Sequence, residues 1–331
     1  MREATKQMTT CSPREEQLKR AMFRGGDLHL GNPAYLKAAR TFLGELLHSD
    51  VGGGDLTVAA LELADGPASA KVLAKESGVI AGVAEFRWLL NHDDLEVSVC
   101  KQDGEAIEPG DVVLKIEGHR NDLLAHERVG LNLLQRMSGI ASATRHLQEL
   151  VHRENAGTHL VGTRKTPWGL LDKRALYLGG GGTHRLGLWD AILIKNNHLA
   201  LLAAREEDAA VIAVERAWPA RKSAAFIEVE VRSEQAALRA AEAFRRMREL
   251  PPAAESGDCP CFLLLDNMPA AKTSAIVAAL RSQGLLEHVL TEASGNISES
   301  NIAEYAASGV DAISMGALTH SARSLDLCQR V

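Results

Sequence analysis

From about residue 158 onward the chain repeats one pattern: a short apolar run, a polar break, then a longer stretch with apolar residues at helical spacing. The apolar runs predict strands over 159–164, 190–195, 226–231, 261–266, 288–294 and 311–316. The stretches between them, such as SEQAALRAAEAFRRMREL at 233–250, read as amphipathic helices. Strand–helix units in series make a parallel sheet, either open or closed into a barrel. Upstream, PAYLKAARTFLGELLH predicts a helix from Pro33 to about His48. Residues 68–118 break into short strands punctuated by Asp103-Gly104 and Glu108-Pro-Gly110, the pattern of a small sheet-based domain. A long helix follows Asn121-Asp122, with Leu131, Leu134, Met137 and Ala141 on one face and Arg128 near its edge. Residues 1–30 are polar and charged and read as a loosely held extension.

Composition narrows the function classes. A chain of 331 residues suits one large domain plus a smaller one. With 46% hydrophobic and 24% charged residues it reads as a soluble globular protein. The net charge of −6 gives no basic field for nucleic acid, so any anion site must be a local gathering of cations. No apolar run approaches the ~20 residues of a membrane span, and the N-terminal stretch has no apolar core of a secretory signal. The five cysteines, Cys11, Cys100, Cys259, Cys261 and Cys328, are odd in number and scattered, unlike a disulfide framework. These features together point to a cytoplasmic protein with neither nucleic acid nor membrane as partner. Cys259-Pro-Cys261 lacks the second pair that structural zinc requires and reads as two small residues at a strand start. The glycine-rich loop at 50–57 lacks GxGxxG spacing, which argues against a dinucleotide fingerprint.

The chemistry lies where the strands end. In Phe226-Ile-Glu-Val-Glu-Val231, Ile227, Val229 and Val231 share one face while Glu228 and Glu230 share the other. In a helix-covered barrel those glutamates point inward, where carboxylates need cations or metal. Four more runs deliver a polar or backbone-donating group at the same end: Lys195, Asp266, Ser294 with Gly295, and Gly316 with Thr319-His320-Ser321 beyond it. In α/β barrels that end carries the active site. HLVGTRKTPWG at 159–169 closes a strand with Arg164 and Lys165, and Gly179–Gly182 lead into His184 and Arg185. Glycines there allow close backbone approach to a ligand, and turns leading into helices suit phosphate. The cations Arg164, Lys165, His184, Arg185 and Lys195, with Arg128, suit a ligand bearing several anionic groups. Glu230 and Asp266 suit a magnesium ion or sugar hydroxyls.

Seven segments in order then carry a resemblance: HERVGLNLLQRMSGIASATR (126–145), GTRKT (162–166), GGGGTHRLGLWDAILIKNNH (179–198), EVEV (228–231), LLLDNM (263–268), TEASGNI (291–297) and VDAISMGALTHSARSLDL (310–327). They resemble the quinolinate phosphoribosyltransferases, also called nicotinate-nucleotide pyrophosphorylases (carboxylating). The resemblance implies an N-terminal α/β sandwich domain over 31–140 and a seven-stranded α/β barrel of the type II phosphoribosyltransferase kind over 141–317. It also implies a C-terminal tail, 318–331, that rejoins the first domain. The implied reaction joins quinolinate to phosphoribosyl pyrophosphate, with Mg²⁺, and gives nicotinate mononucleotide, carbon dioxide and pyrophosphate for NAD biosynthesis. The implied assembly is a homodimer with shared sites, to which Arg128 is donated by the opposite subunit.

By position, Arg164, His184 and Arg185 resemble quinolinate-binding groups, and Lys165 and Lys195 resemble the lysines between substrate and pyrophosphate. Glu230 and Asp266 resemble the pair near ribose and metal, in contact that need not be direct. Ser294, Gly295, Gly316 and His320 resemble the 5′-phosphate cradle. Four positions depart from the family's usual residues: Gly162, Trp168, Asn196 and Asn296. Trp168 lies nearest the chemistry and is expected to reshape the pocket. Two other readings use the same barrel: a related phosphoribosyltransferase acting on another acid, like the molybdenum-utilisation relative, or a non-catalytic sugar-phosphate-binding barrel. Lys195, Glu230 and Asp266 argue against the second.

Overall fold

The computed structural model describes residues 12–91, 95–250 and 259–331. Its first element corrects the reading of 1–30 as a loose extension. Helix α1, Pro13–Met22, begins at Ser12, whose Oγ accepts from the Glu15 N–H at 3.2 Å. Leu18, Ala21 and Met22 lie on one face of it and are buried. Charged residues fill the rest of the helix, so the average over the segment hid a narrow apolar stripe. The part of that extension before Ser12 lies outside the described residues.

The first domain combines helices α2 (Pro33–Val51), α3 (Leu56–Ala60) and α4 (Val83–Leu90) with strands β1 (Pro67–Ala74), β2 (Gly78–Val79), β3 (Glu96–Val99), β4 (Ala106–Ile107) and β5 (Val112–His119). The stretch 68–118, read as short strands and turns, therefore also contains a helix. VAEFRWLL is almost all apolar, so it shows no period by which helix and strand can be told apart. Helix α5, Arg120–Glu154, runs 35 residues, about 50 Å at 1.5 Å per residue. The expected boundary at 140/141 falls inside it, so one continuous helix serves both domains.

The second domain alternates β6 (His159–Val161), α6 (Leu170–Leu178), β7 (Ile192–Ile194), α7 (Asn196–Leu199), α8 (Glu206–Ala217), β8 (Ile227–Val231), α9 (Glu234–Glu249), β9 (Cys261–Asp266), α10 (Ala270–Ser282), β10 (Leu290–Ser294), α11 (Ile302–Ala307), β11 (Ala312–Ser314) and α12 (Ala317–His320). Strand β12, Leu327–Arg330, pairs antiparallel with β1 and completes the first domain's sheet in the order β12-β1-β5-β3. The second sheet runs β6-β11-β10-β9-β8-β7 with every pairing parallel. All six strands read from the sequence are present. The seventh place is taken by the glycine run, where Gly182 makes a parallel bridge to Val161 beside β6.

The sheet curls far enough for inward side chains of separate strands to meet. Glu228 of β8 and Glu292 of β10 both reach His184, which follows Gly182. At the N-terminal mouth, Val161, Ala191, Phe226, Phe262, Leu290 and Ala312 form one cluster with Leu18, Ala21 and Met22 of α1. Arg14 pairs with Asp311, and Arg24 just after α1 pairs with Asp190. The Met22 carbonyl accepts from Thr183 Oγ1 at 2.9 Å and from the His184 N–H at 3.1 Å. Helix α1 thus plugs the barrel opposite the strand ends that carry the chemistry. Ile227, Val229 and Val231 are fully buried and join the main core, as their shared face predicts.

Candidate active site

The C-terminal ends of the barrel strands surround a cavity of about 700 Å³. After β6 come Arg164 and Lys165, and from the glycine run come His184 and Arg185. Lys195 follows β7, Glu230 stands on β8 and Asp266 ends β9. Ser294 and Gly295 close β10, while Gly316 and His320 belong to the turn into α12. All eleven line this one cavity. Arg128, on α5, does not. It stands on the surface with its side chain 59% exposed, 4.0 Å from Glu127.

The cavity is electrostatically unfinished. Among the described residues, Arg164, Lys165, Arg185 and Lys195 have no ion-pair partner. Partial burial lowers the pKa of Arg185, and the like charge of Arg164 lowers it further. Two neighbouring guanidinium groups that repel each other call for an anion between or above them. On the facing wall, Glu230 accepts from the Asn196 backbone at 3.3 Å and from its side-chain amide. Burial raises the pKa of Glu230 and the Asp266 carboxylate adds to the rise. Asp266 meets Arg232 at 3.3 Å. Cations and carboxylates therefore converge on one rim from different strands.

His184 behaves differently from the other cations. Its Nε2 lies 3.1 Å from Glu228 and 3.3 Å from Glu292, both fully buried. Its Nδ1 is 2.7 Å from the Arg185 N–H. Both ring nitrogens are engaged by protein atoms, so His184 forms the cavity floor and aims Arg185. Burial works to lower its pKa, but Glu292 and Glu228 outweigh burial and raise it to about 9. Glu228 is itself raised to about 7, by burial and then by Glu292. These three are the only trio of metal-ligating side chains gathered this closely among the described residues. With Arg185, Arg164 and Lys173 nearby they read as charge balance beneath a cation cluster. Lys173, behind the cavity, is buried; burial and then Arg185 lower its pKa to about 7.

Sequence reasoning placed Glu228 inward but gave it no role, and it passed over Glu292 and Lys173. For Glu292 a usable signal existed: it stands two residues before Ser294, on the same side of β10. The four departures also find physical explanations. A Cβ at Gly162 would lie 2.3 Å from Leu176 Cδ1, so a side chain there requires the Leu176 side chain to give way. Trp168 does not line the cavity, which corrects the expectation that it reshapes the pocket. Its ring packs on Phe42 with centroids 5.1 Å apart and lies under the Arg136 guanidinium. Asn196 holds Glu230. Asn296 adopts φ +53°, the left-handed region that glycine takes freely, and its side chain donates to Asn267 Oδ1 at 3.0 Å.

Comparison with known proteins adds independent observations. The family model described as quinolinate phosphoribosyl transferase, C-terminal domain, matches residues 140–329, and that of the N-terminal domain matches residues 55–138. A probable nicotinate-nucleotide pyrophosphorylase [carboxylating] of Archaeoglobus fulgidus is 37% identical over 79% of this chain and 93% of its own length. A mitochondrial quinolinate phosphoribosyltransferase [decarboxylating] of Nicotiana tabacum is 33% identical over 86% of this chain and 80% of its own. The crystal structure of NadC from Streptococcus pyogenes superposes with a TM-score of 0.74 at 33% identity, covering 88% of this chain and 95% of that one. Among the described residues, no helix is long and apolar enough to cross a membrane.

Proposed function

The chain belongs to the quinolinate phosphoribosyltransferase family, and from that premise we propose how its barrel rim carries out the family's reaction. The enzyme transfers the phosphoribosyl group of phosphoribosyl pyrophosphate to quinolinate and releases carbon dioxide and pyrophosphate. One observation carries our assignment of its residues: unpaired cations and two carboxylates from successive strand ends line a single cavity.

Arg164 and Arg185 bind the two carboxylates of quinolinate, with His184 holding Arg185 from below. Ser294, Gly295, Gly316 and His320 receive the 5′-phosphate of the sugar donor, where small residues let backbone N–H groups approach. Lys165 and Lys195 face the pyrophosphate. As the bond from ribose C1 to pyrophosphate breaks, positive charge grows on the sugar ring and negative charge on the leaving group. Glu230 and Asp266 stabilise the first, and the two lysines stabilise the second. Such fixed charges supply a large share of catalysis because they need no reorganisation. The pyridine nitrogen then bonds to C1. The 2-carboxylate leaves as carbon dioxide, its bonding electrons stay on the ring carbon next to the positive nitrogen, and that carbon takes a proton.

Glu230 and Asp266 also fit a magnesium ion, which takes hard oxygen ligands and shares them with substrate phosphates. Both carboxylates line the same cavity at neighbouring strand ends, and the Asp266 charge adds to the rise in the Glu230 pKa that burial begins. Bound there, the ion would supply positive charge toward the departing pyrophosphate. The exposed position of Arg128, outside its own cavity, supports a homodimer in which it covers the partner's cavity. The free thiols of Cys100 and Cys328 support a reducing, cytoplasmic location.

The test is formation of nicotinate mononucleotide from quinolinate and phosphoribosyl pyrophosphate. Lys165→Ala and Glu230→Ala are each expected to lower kcat by on the order of 10²–10³. Wild-type rates in both variants would overturn the residue assignment. Mixing Arg128→Ala subunits with Lys195→Ala subunits should recover part of the activity through sites that hold neither change. No recovery would remove the shared-site assembly.

A further inference from the structure

Behind the cavity, and lining none of it, lies a bracket centred on Arg136 of α5. Its Nε meets Asp172 Oδ1 at 2.9 Å and its Nη2 meets Asp172 Oδ2 at 2.9 Å. The same Nη2 donates to the Thr319 carbonyl at 3.0 Å. The guanidinium lies 5.1 Å over the centre of the Trp168 ring. Asp172 is fully buried, and its Oδ2 also accepts from the Trp168 N–H at 3.0 Å. Thr319, equally buried, donates its Oγ1 to the Lys165 carbonyl at 2.7 Å. These contacts join three segments far apart in sequence: the interdomain helix, the loop that carries Arg164 and Lys165, and the turn Gly316–His320.

The two segments so joined belong to different halves of the site. The Arg164–Lys165 loop faces the acid and the pyrophosphate, while the Gly316–His320 turn faces the 5′-phosphate. Their separation sets the distance between Lys165 and a donor held by its phosphate. The fit leaves little slack: a Cβ on Gly316 would lie 3.0 Å from Lys165 Cδ. A side chain spanning both segments from behind can fix that distance only if it bonds to both at once. Arginine does so, because its planar fork offers several donors in fixed directions. Lysine, a point charge on a flexible stem, cannot hold Asp172 in a fork and reach Thr319 as well.

Resting on the catalytic reading above, we propose that Arg136 is a positioning residue. It works through Asp172 and Thr319 to set Lys165 against the phosphate-binding turn. Its contribution therefore belongs to use of phosphoribosyl pyrophosphate rather than to quinolinate binding. A role in stability alone would lower the amount of folded enzyme and leave both KM values where they are.

Steady-state kinetics with both substrates, beside thermal melts, separate these outcomes. Arg136→Lys is expected to lower kcat/KM for phosphoribosyl pyrophosphate by on the order of tenfold or more, since small misplacements of a reacting group are costly. KM for quinolinate should stay within about twofold, as the point charge on Asp172 persists. Because disturbing a buried pair can prevent folding, Thr319→Val supplies a milder arm: it removes only the hydroxyl that holds the Lys165 carbonyl. It should shift kcat/KM in the same direction, and Thr319→Ser should restore it. Unchanged kinetics in Arg136→Lys and Thr319→Val, with an active wild type, would overturn this inference alone. So would equal rises in both KM values. A wild type that makes no nicotinate mononucleotide would overturn the catalytic reading and this inference with it.

Discussion

The two mouths of the barrel are built from the same strands and could hardly differ more. At the N-terminal mouth, Phe226, Phe262, Leu290 and Ala312 pack with Leu18 and Met22 in one apolar cluster. At the C-terminal mouth, the residues four places further along are Glu230, Asp266, Ser294 and Gly316. Each strand is thus apolar where it must seal and polar where it must react. Between them, across the barrel axis, sits the buried His184–Glu228–Glu292 cluster. The contrast teaches that this barrel keeps stability and chemistry at opposite ends, so damage to one end should be separable from damage to the other.

The largest effect expected from breaking that separation is at the rim. Lys195→Ala should lower kcat by on the order of 10²–10³ while the melting temperature stays near that of the wild type. The plug should give the converse. Leu18→Ala should cost about 2–5 kcal/mol of stability, read from denaturant unfolding, and leave both KM values unchanged at temperatures where the chain is folded. A large KM change from Leu18→Ala would show that the two ends are coupled.

That plug was also the least legible part of the fold. The six strands could be read because each is a compact apolar run, and the cavity cations because they stand just past those runs. The seventh strand position carries glycines, which have no side chains to reveal a period. Helix α1 was hidden because Leu18, Ala21 and Met22 are embedded in charge. The cluster under the cavity joins His184, Glu228 and Glu292 across three strands, and no local spacing announces such a meeting. Arg136 lies in a helix whose apolar face was plain, yet its partners at 172 and 319 emerge only when the chain is folded.

A smaller effect concerns that middle cluster and depends on pH. The pKa of Glu228 is raised to about 7, so its protonated form stabilises the fold fully below the ordinary value of 4.5, and this is lost as pH rises through 7. This slope is worth on the order of 1–3 kcal/mol. Melting temperature should therefore fall from pH 5 to pH 9, and Glu292→Gln should flatten that fall. An equally steep fall in the variant would place its cause elsewhere. The smallest effect belongs to Asn296, whose left-handed backbone suits glycine better. Asn296→Gly relieves that strain but gives up the bond to Asn267, so its stability should lie within about 0.5 kcal/mol of wild type by equilibrium unfolding.

The return of β12 to β1 has a bearing on how the chain acquires its shape during synthesis. The partner that completes the first sheet emerges from the ribosome only after the entire second domain. Until then one border of β1 carries open amide and carbonyl groups, the kind of border that invites pairing with a neighbour. The nascent first domain therefore waits, with an adhesive seam, for a segment that must travel past the finished barrel to close it.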